Sequence, residues 1–514
     1  MKPIRLISGV MTVGFWTLMS RVLGLVRDIM IAAFIGPGPV MDAFVAAFRL
    51  PNLFRRFFAE GAFNAAFVPM FAKRYEAGED PLGFARDAMN GLAFVLLVLT
   101  GLAMVFMPAL VWATAGGFAG DARFDLTVDY GRILFPYILF ISLAALFSGA
   151  LNATGRFAAA AAAPVLLNIL ACSAMAIGAL SGGEVIRWLI WCIPLAGVAQ
   201  LALVWCAAER AGLRLRPARP RLSAEMRQLV RLAIPAALSG GVLQINLLVG
   251  QWVASGFPSA VSWLYNADRL YQLPLGVVAI AIGIVLLPEL ARRLKAGDDA
   301  GGRAAYSRAM ELSLALTLPC AVALVVIPLP LVSVLFERGA TTGADSAAMA
   351  LAVAVYGLGL PAFVLQKIVQ PLYYAREDTR TPFRFALWSM AVNAVVAIGL
   401  APVIGWIAPA VATSLAAWSM AVQLLAGTGR MGEVARVDGR FAARFWRIVA
   451  ASVAMGLLLW GAMAVMAPLF QPGWLRVPAL ALLIGIGMVG YAIAGIAIGA
   501  FNLSDLRGMA KRKS

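Results

Sequence analysis

Residues 20–56 read SRVLGLVRDIMIAAFIGPGPVMDAFVAAFRLPNLFRR, two runs apolar enough to cross a membrane with charged side chains inside or beside them. The charged residues of this segment are Arg21, Arg27, Asp28, Asp42, Arg49, Arg55 and Arg56. An ionised side chain at the bilayer centre costs roughly 2.5–3.5 kcal/mol, so this many charges would not be stable facing lipid. They predict a polar cavity inside a helical bundle, and the excess of arginine predicts an anionic, phosphate-bearing cargo.

The composition predicts an all-α integral membrane protein. Of the 514 residues, 62% are apolar and only 13% are charged, whereas a soluble domain carries about 25% charged residues. Runs of about 20 apolar residues, enough to cross a hydrocarbon core of roughly 30 Å, recur along the chain and predict about fourteen transmembrane helices. The first is expected from about Ile7 to Phe34, and the second from about Val40 to Phe71 with a break near Pro51.

The net charge of +17 follows the positive-inside pattern and not that of a nucleic-acid-binding protein. The surplus lies in alternate short loops, such as 210–231, 292–303 and 376–384, while the intervening loop 250–258 has no cation. Both termini, including the basic tail at 511–513, are therefore expected in the cytoplasm, which requires an even number of spans.

No catalytic centre and no metal site is predicted. Histidine is absent from the chain, which excludes imidazole from catalysis, proton relays and metal binding. Asp298 and Asp299 resemble a metal-binding diacid, but they lie in a cationic loop without a second carboxylate motif. The cysteines stand singly in apolar runs, where buried packing is the expected role. They are Cys172, Cys192, Cys206 and Cys320.

Weak collinear matches relate the two halves of the chain. VPMFAKRYEAGED (68–80) is echoed by LPELARRLKAGDD (287–299), and AFRL (47–50) by ADRL (267–270). A parallel repeat of about six helices predicts two lobes related by an axis along the membrane normal, an arrangement that suits alternating access. The expected domains are an N-lobe (1–214), a C-lobe (215–430) and an appended helix pair with a basic cytoplasmic tail (431–514).

Helical spacing arranges the charges of the first hairpin. Arg21 and Asp28 are seven residues apart and share a face, whereas Arg27 lies about 120° away. A second seven-spaced stripe, bent by Pro51, consists of Asp42, Arg49 and Arg56. The two aspartates are expected to partner the arginines when the cavity is empty.

The repeat makes Arg49 equivalent to Arg269, which predicts a pair of arginines that faces across the cavity and clamps a diphosphate. Three alternatives remain open. In the first, Arg55 and Arg56 are interfacial charges that snorkel to water. In the second and third, Arg21 with Asp28, and Asp268 with Arg269, are internal ion pairs that fix helix packing.

The motifs SRVLGLVRD (20–28), MDAF (41–44) and RLPNLFRRFFAEGAF (49–63) resemble those of the MurJ (MviN) family. These proteins are the lipid II flippases of the multidrug/oligosaccharidyl-lipid/polysaccharide exporter superfamily. FPYIL (135–139) and SWLYNADRL (262–270) continue the resemblance, which covers essentially the full chain.

The resemblance implies export of the undecaprenyl-diphosphate-linked peptidoglycan precursor from the inner to the outer leaflet of the bacterial inner membrane. It also implies a tail groove formed by the last helix pair. Arg49 stands where some relatives carry lysine. Some relatives bind sodium through an asparagine and an aspartate one turn later; Asn393 matches the first, but Ala397 follows it, so no sodium site is expected here. The family's functional arginines and carboxylate match Arg21, Arg27, Arg55, Arg269 and Asp42.

The predicted activity is flipping of lipid II by alternating access, in peptidoglycan biosynthesis. The alternatives are another exporter of the superfamily, a membrane enzyme acting on polyprenyl phosphates, and a non-transporting scaffold. No cofactor is expected, and coupling to the membrane potential or to a monovalent cation is left open. Lipid II, membrane lipids and cell-wall synthesis proteins are the expected partners. The candidate substrate-binding residues are Arg21, Arg27, Asp28, Asp42, Arg49, Arg55, Arg56 and Arg269.

Overall fold

The computed structural model describes residues 3–55, 62–221 and 223–501, with side chains described except at 3–11, 62, 235–243, 245, 277–285 and 287. Within these ranges the chain forms α-helices joined by short loops, and it contains no β-strand. The helices of the first half are α1 (Pro3–Phe34), α2 (Pro39–Arg55), α3 (Ala62–Ala77), α4 (Pro81–Val105), α5 (Met107–Thr114), α6 (Ala122–Leu134), α7 (Tyr137–Ala153), α8 (Ala158–Leu180) and α9 (Val185–Arg210). Those of the second half are α10 (Ala224–Ser255), α11 (Ala260–Lys295), α12 (Asp299–Val326), α13 (Pro328–Phe336), α14 (Gly343–Tyr374), α15 (Arg380–Ile404), α16 (Ala408–Thr428), α17 (Gly439–Met466) and α18 (Arg476–Ala497).

The surface of these helices is that of a membrane protein. In the described part of the chain, nine helical segments are long and apolar enough to cross a membrane. Large apolar side chains such as Val403 (77% exposed) and Val465 (82% exposed) lie on the outside of the protein. So much exposed apolar surface is typical of contact with lipid. The predicted all-α membrane class is confirmed. Two of the nine segments, Ala122–Ala153 and Arg380–Thr428, each hold two successive α-helices. The number of segments therefore does not give the number of membrane crossings, and the fourteen spans stay a prediction.

The chain packs into two compact units. Unit 1 comprises Met1–Ser262 and Gly339–Thr341, and unit 2 comprises Trp263–Arg338 and Thr342–Ser514. The boundaries of these units follow from which residues pack together. The boundaries of the predicted lobes (1–214, 215–430 and 431–514) follow instead from the internal sequence repeat. The lobe boundaries and the pseudo-symmetry therefore stay predictions.

Unit 1 is built around an aromatic ladder. Along α3, Phe63, Phe67 and Phe71 recur every four residues and stack on one another with ring centroids 5.6 Å apart. Phe84 of α4 stacks on Phe67 at 5.7 Å. The spacing puts these rings on one face of the helix, so the local sequence period creates the core against which α4, α7 and α10 pack.

The region predicted as the second span contains α2 and α3, and residues 56–61 between them lie outside the described residues. Helix α2 continues through the buried Pro51 and ends at Arg55, and α3 begins at Ala62. The helix is not interrupted at Pro51 itself, but residues 56–61 lie outside the described residues, so the predicted break between the two parts of this span stays a prediction. The amide nitrogen of the Asn52 side chain donates to the carbonyl oxygen of Phe48 at 2.8 Å, which helps hold the turn that contains the proline.

Unit 2 joins α12, α14, α15 and α16 to the C-terminal pair α17–α18. Arg444 of α17 donates to the Glu311 carboxylate of α12 at 2.5 Å. The Tyr491 hydroxyl of α18 donates to the carbonyl oxygen of Ala315, also on α12, at 2.7 Å. The pair expected as an appendage is thus fastened to α12 by polar contacts as well as by apolar packing.

Candidate functional site

The first charged cluster fastens α1 to α8. Arg27 donates from Nε and Nη2 to the Oδ1 atom of Asp28 at 3.1 and 2.8 Å, and from Nη1 to the Oδ1 atom of Asn168 at 2.9 Å. The side-chain nitrogen of Asn168 donates to the carbonyl oxygen of Ser20 at 3.0 Å. Asp28 is buried and the Arg27 side chain is 15% exposed. The guanidinium is thus held in a fixed orientation and its charge is compensated.

Arg21 lies on the same helix in a different setting. Its side chain is exposed, and it makes no hydrogen bond or ion pair with any residue that the structure describes. The alternative in which Arg21 forms an internal ion pair with Asp28 is wrong, because the long Arg27 side chain reaches its neighbouring carboxylate. Arg21 is therefore the cation of this cluster that is left available to an anion.

The second charged cluster is built on Asp42, which is fully buried in unit 1. Its Oδ1 atom accepts from the backbone nitrogen of Ser262 at 2.9 Å and from the Ser262 hydroxyl at 2.5 Å. Its Oδ2 atom accepts from the backbone nitrogen of Ser259 at 2.9 Å and from Arg123 at 3.4 Å. Backbone donors at the start of a helix have no intrahelical partner, so Asp42 of α2 caps the beginning of α11 from a distant part of the chain.

Arg123 is a buried cation that the sequence reasoning missed. Its Nε donates to the carboxylate of Asp121 at 2.7 Å and its Nη1 to the carbonyl oxygen of Phe257 at 3.3 Å, while its guanidinium lies 4.5 Å from the centre of the Phe118 ring. Asp121 also accepts from the backbone nitrogen of Arg123 at 2.8 Å, a hydrogen bond that lowers the pKa of its carboxyl. Arg123 therefore connects the start of α6 to Asp42.

A third contact of unit 1 closes the end of α1. The Thr341 hydroxyl donates to the carbonyl oxygen of Ala32 at 2.7 Å, and the backbone nitrogen of Ala340 donates to that of Ala33 at 2.8 Å. Gly339 has a φ of +59°, and a Cβ there would lie 2.1 Å from the Ala33 carbonyl oxygen. The last carbonyl groups of α1, which have no intrahelical partner, thus accept hydrogen bonds from Ala340 and Thr341.

The remaining predicted arginines of unit 1 lie on α2. Arg49 is half-buried. Arg55 is also half-buried and donates from Nε to the Asn52 side-chain oxygen at 3.1 Å. Arg56 lies outside the described residues. Whether Arg55 and Arg56 meet substrate or the membrane interface stays a prediction.

In unit 2, Arg269 lies on α11 with its guanidinium 4.4 Å from the centre of the Tyr265 ring, within the range of a cation–π contact. Nearby, Tyr271 packs against Tyr356 and Phe363, with ring centroids 5.0 and 5.5 Å apart. Arg269 belongs to unit 2 and Arg49 to unit 1, and their pairing as a clamp stays a prediction.

No metal site was predicted, and the described residues contain no group of three or more His, Cys, Asp or Glu side chains that could hold a metal ion. Asn393 and Ala397 of α15 are both buried, so the position one turn after the asparagine presents a methyl group and no carboxylate. The expectation that no sodium site forms at these two positions stays a prediction.

Comparisons with known proteins match nearly the whole chain. A family model described as "Lipid II flippase MurJ" matches residues 31–484. A probable lipid II flippase MurJ of Rhizobium tropici is 43% identical over 99% of this chain and 97% of its own length. The corresponding protein of Rhizobium meliloti is 45% identical over 98% of this chain and 95% of its own.

Solved structures share the fold. One titled "Lipid II flippase MurJ, inward closed conformation" has a TM-score of 0.79 at 24% identity and covers 94% of this chain and 97% of its own. An inward-facing multidrug resistance transporter of the MATE family, within the MOP superfamily, has a TM-score of 0.64 at 16% identity, covering 82% and 98%. At these identities the likeness shows the fold alone.

Proposed function

We propose, because the chain belongs to the MurJ family, that this protein is a lipid II flippase of the bacterial cytoplasmic membrane. It would move the undecaprenyl-diphosphate-linked peptidoglycan precursor from the inner to the outer leaflet, for cell-wall synthesis. The similar proteins are named as probable lipid II flippases. They align with this chain over nearly the full length of both sequences.

The observation that carries the proposal is the contrast between two arginines of α1. Arg27 is compensated by Asp28 and held by Asn168, whereas Arg21 is exposed and unpartnered among the described residues. A guanidinium stays protonated at any physiological pH and binds phosphate oxygens in a bidentate manner. In this proposal Arg21 contacts the diphosphate directly, and Arg27, held by Asp28 and Asn168, fixes α1 against α8 beside it.

The other cationic contacts of this proposal come from the internal repeat, which makes Arg49 and Arg269 equivalent positions. Arg49 and Arg269 contact the diphosphate from the two lobes, so that binding favours lobe closure, and the sugar head passes the midplane as the lobes rock. The polyprenyl tail stays in the bilayer along α17 and α18. Exposed apolar side chains on α17, such as Trp446 (70%) and Trp460 (66%), support a lipid-facing role for that pair. In this proposal both termini lie in the cytoplasm, as the positive-inside pattern predicts.

The driving force is assigned to the membrane potential. Each charge that crosses the membrane gains about 2.3 kcal/mol per 100 mV, and a cavity with more arginines than aspartates would sense the field. In sealed vesicles with an imposed potassium diffusion potential, we expect flipping to change rate when the sign of the potential is reversed. A rate that is indifferent to the potential would refute this coupling and leave the flippase proposal standing.

The test of the flippase itself is depletion of the protein followed by leaflet-resolved labelling of lipid II. We expect outer-leaflet lipid II to fall and inner-leaflet lipid II to accumulate within a generation. Arg216 is an exposed arginine of a cation-rich loop, so complementation with Arg216→Ala should restore the labelling of outer-leaflet lipid II. Complementation with Arg21→Ala should not restore it. Unchanged outer-leaflet lipid II on depletion would contradict the proposal, and cleaved lipid II in the membranes would point to an enzyme instead.

A further inference from the structure

A basic groove opens in unit 2 between the end of α14, the start of α15 and the end of α16. Its volume is about 1100 Å³, and its lining contains three arginines and three aromatic rings. These residues are Arg376, Arg384, Arg430, Tyr373, Phe385 and Trp388. None of them belongs to the predicted substrate cluster, and the loop 376–384 is one of the cation-rich loops placed in the cytoplasm, an orientation on which the following inference rests.

The walls of this groove are held by specific contacts. The Tyr373 hydroxyl donates to the carbonyl oxygen of Leu424 at 2.7 Å, which fixes α14 against α16. A Cβ at Gly427 would lie 2.2 Å from that hydroxyl, so the close approach of the two helices needs the glycine. Arg376 donates to the carbonyl oxygens of Leu372 at 3.0 Å and Met431 at 2.6 Å. Arg376 is thus part of the frame, and the groove exists before any ligand arrives.

The groove carries excess positive charge. Its one acidic lining residue is Asp378, which accepts from the backbone nitrogen of Thr381 at 3.0 Å, and hydrogen bonds from Thr381 lower the pKa of its carboxyl. Three guanidiniums line the groove together with this carboxylate, and Asp299, outside the lining, interacts electrostatically with Arg376. Arg384 and Arg430 are exposed, and neither has a hydrogen bond or ion pair with a residue that the structure describes. Among the described residues, these two lining cations therefore have no ion-pair partner.

The other half of the groove is apolar. Leu387 and Trp388 line it three and four residues after Arg384 on α15, and they are 38% and 61% exposed. Residues at this spacing lie on one face of a helix. The Arg384 charge therefore lies near the helix end, and the apolar side chains of Leu387 and Trp388 lie one turn further towards the membrane interior. Tryptophan is typical of the level where lipid head groups meet acyl chains.

We propose that this groove binds an anionic phospholipid, with its phosphate on Arg384 and Arg430 and an acyl chain along Leu387 and Trp388. Basic pockets between transmembrane helices on the cytoplasmic side are known sites for anionic head groups. A soluble phosphate would use the two arginines but leave the apolar stripe in water, so the stripe favours a lipid. The site lies within unit 2 and is separate from the residues assigned to the cargo.

The experiment measures lipid retained by the purified full-length protein in detergent, by native mass spectrometry. The probes are phosphatidylglycerol, which is anionic, and phosphatidylethanolamine, which is zwitterionic. We expect the unmodified protein to prefer phosphatidylglycerol by roughly tenfold or more, since each arginine near a membrane surface adds about a factor of five for an anionic lipid. Arg384→Gln/Arg430→Gln should abolish this preference, and Arg384→Lys/Arg430→Lys should keep most of it.

The matched control is Arg216→Gln/Arg219→Gln, which removes the same charge from two exposed positions of another cation-rich loop. It should leave the preference unchanged, and Trp388→Ala should weaken the binding of both lipids. The proposal is overturned if the groove variant loses no more phosphatidylglycerol than this control. It is also overturned if glycerol 3-phosphate displaces the lipid at equal concentration, which would indicate a soluble phosphate ligand. The readout needs no transport, so it stands apart from the flippase test.

Discussion

The two aspartates of the first charged segment, Asp28 and Asp42, are both buried, yet their surroundings differ. Asp28 sits beside Arg27 on its own helix, where it compensates one guanidinium that also reaches Asn168 of α8. Asp42 accepts from three donors at the start of α11 and from Arg123. The first region holds a charge in place beside the exposed Arg21, whereas the second uses its charge to join segments of unit 1. Similar sequence signals therefore belong to the proposed binding surface in one place and to the scaffold in the other.

Asp42→Ala tests the scaffold side of this comparison and should have the largest effect on stability. The change removes the cap of α11 and leaves Arg123 buried with a weaker set of partners, and breaking a buried ion pair costs roughly 3–5 kcal/mol. We expect the largest fall in thermal stability of any single substitution here, measured by unfolding in detergent. Asp121→Ala is the matched control, because Asp121 bonds the same arginine from a position that is 41% exposed. Equal stability losses in the two variants would contradict the scaffold role of Asp42.

Asp28→Ala should have the next largest effect. It leaves Arg27 without its carboxylate but keeps the hydrogen bond to Asn168, and an unsatisfied buried partner costs roughly 1–3 kcal/mol. The double variant Arg27→Met/Asp28→Ala should recover part of this loss, since residues in contact are coupled in such cycles. Strictly additive losses would show that the pair does not act as a unit.

Thr341→Val tests the closure at the end of α1. The substitution keeps the side-chain shape and removes the donor to the carbonyl oxygen of Ala32, a loss of roughly 0.5–1.5 kcal/mol. The exposed Thr379→Val is a control without such a bond among the described residues. If both variants unfold at the same temperature, the contact contributes nothing to stability.

Arg21→Gln should have the smallest effect on stability and yet strongly lower the rate of lipid II flipping. An exposed side chain without partners contributes within roughly 0.5 kcal/mol, so we expect an unchanged unfolding temperature. Arg21→Lys should keep part of the activity, because it keeps the charge but loses the bidentate geometry. A large loss of stability in Arg21→Gln would place Arg21 in the scaffold together with Asp42.

The fold class followed from the sequence because composition and apolar run length depend on the solvent around the chain, and here that solvent is lipid. The partners of the charged groups did not follow. The donors to Asp42 lie 81, 217 and 220 residues further along the chain, so no local period points to them. Arg123 was missed because a single arginine after a glycine-rich turn resembles an interfacial charge. Asp28 was matched to Arg21 by helical spacing, but the reach of the Arg27 side chain decided its partner.

The most direct test of the account is flipping of fluorescent lipid II in sealed vesicles that contain the purified protein or its Arg21→Gln variant. The unmodified protein should expose lipid II to an impermeant quencher on the far side, and the variant should be slower by at least about tenfold, the factor that corresponds to 1.4 kcal/mol in the barrier. Arg216→Gln should flip at the unmodified rate. Equal rates for the Arg21→Gln variant and the unmodified protein would contradict the claim that this exposed arginine of α1 carries the diphosphate.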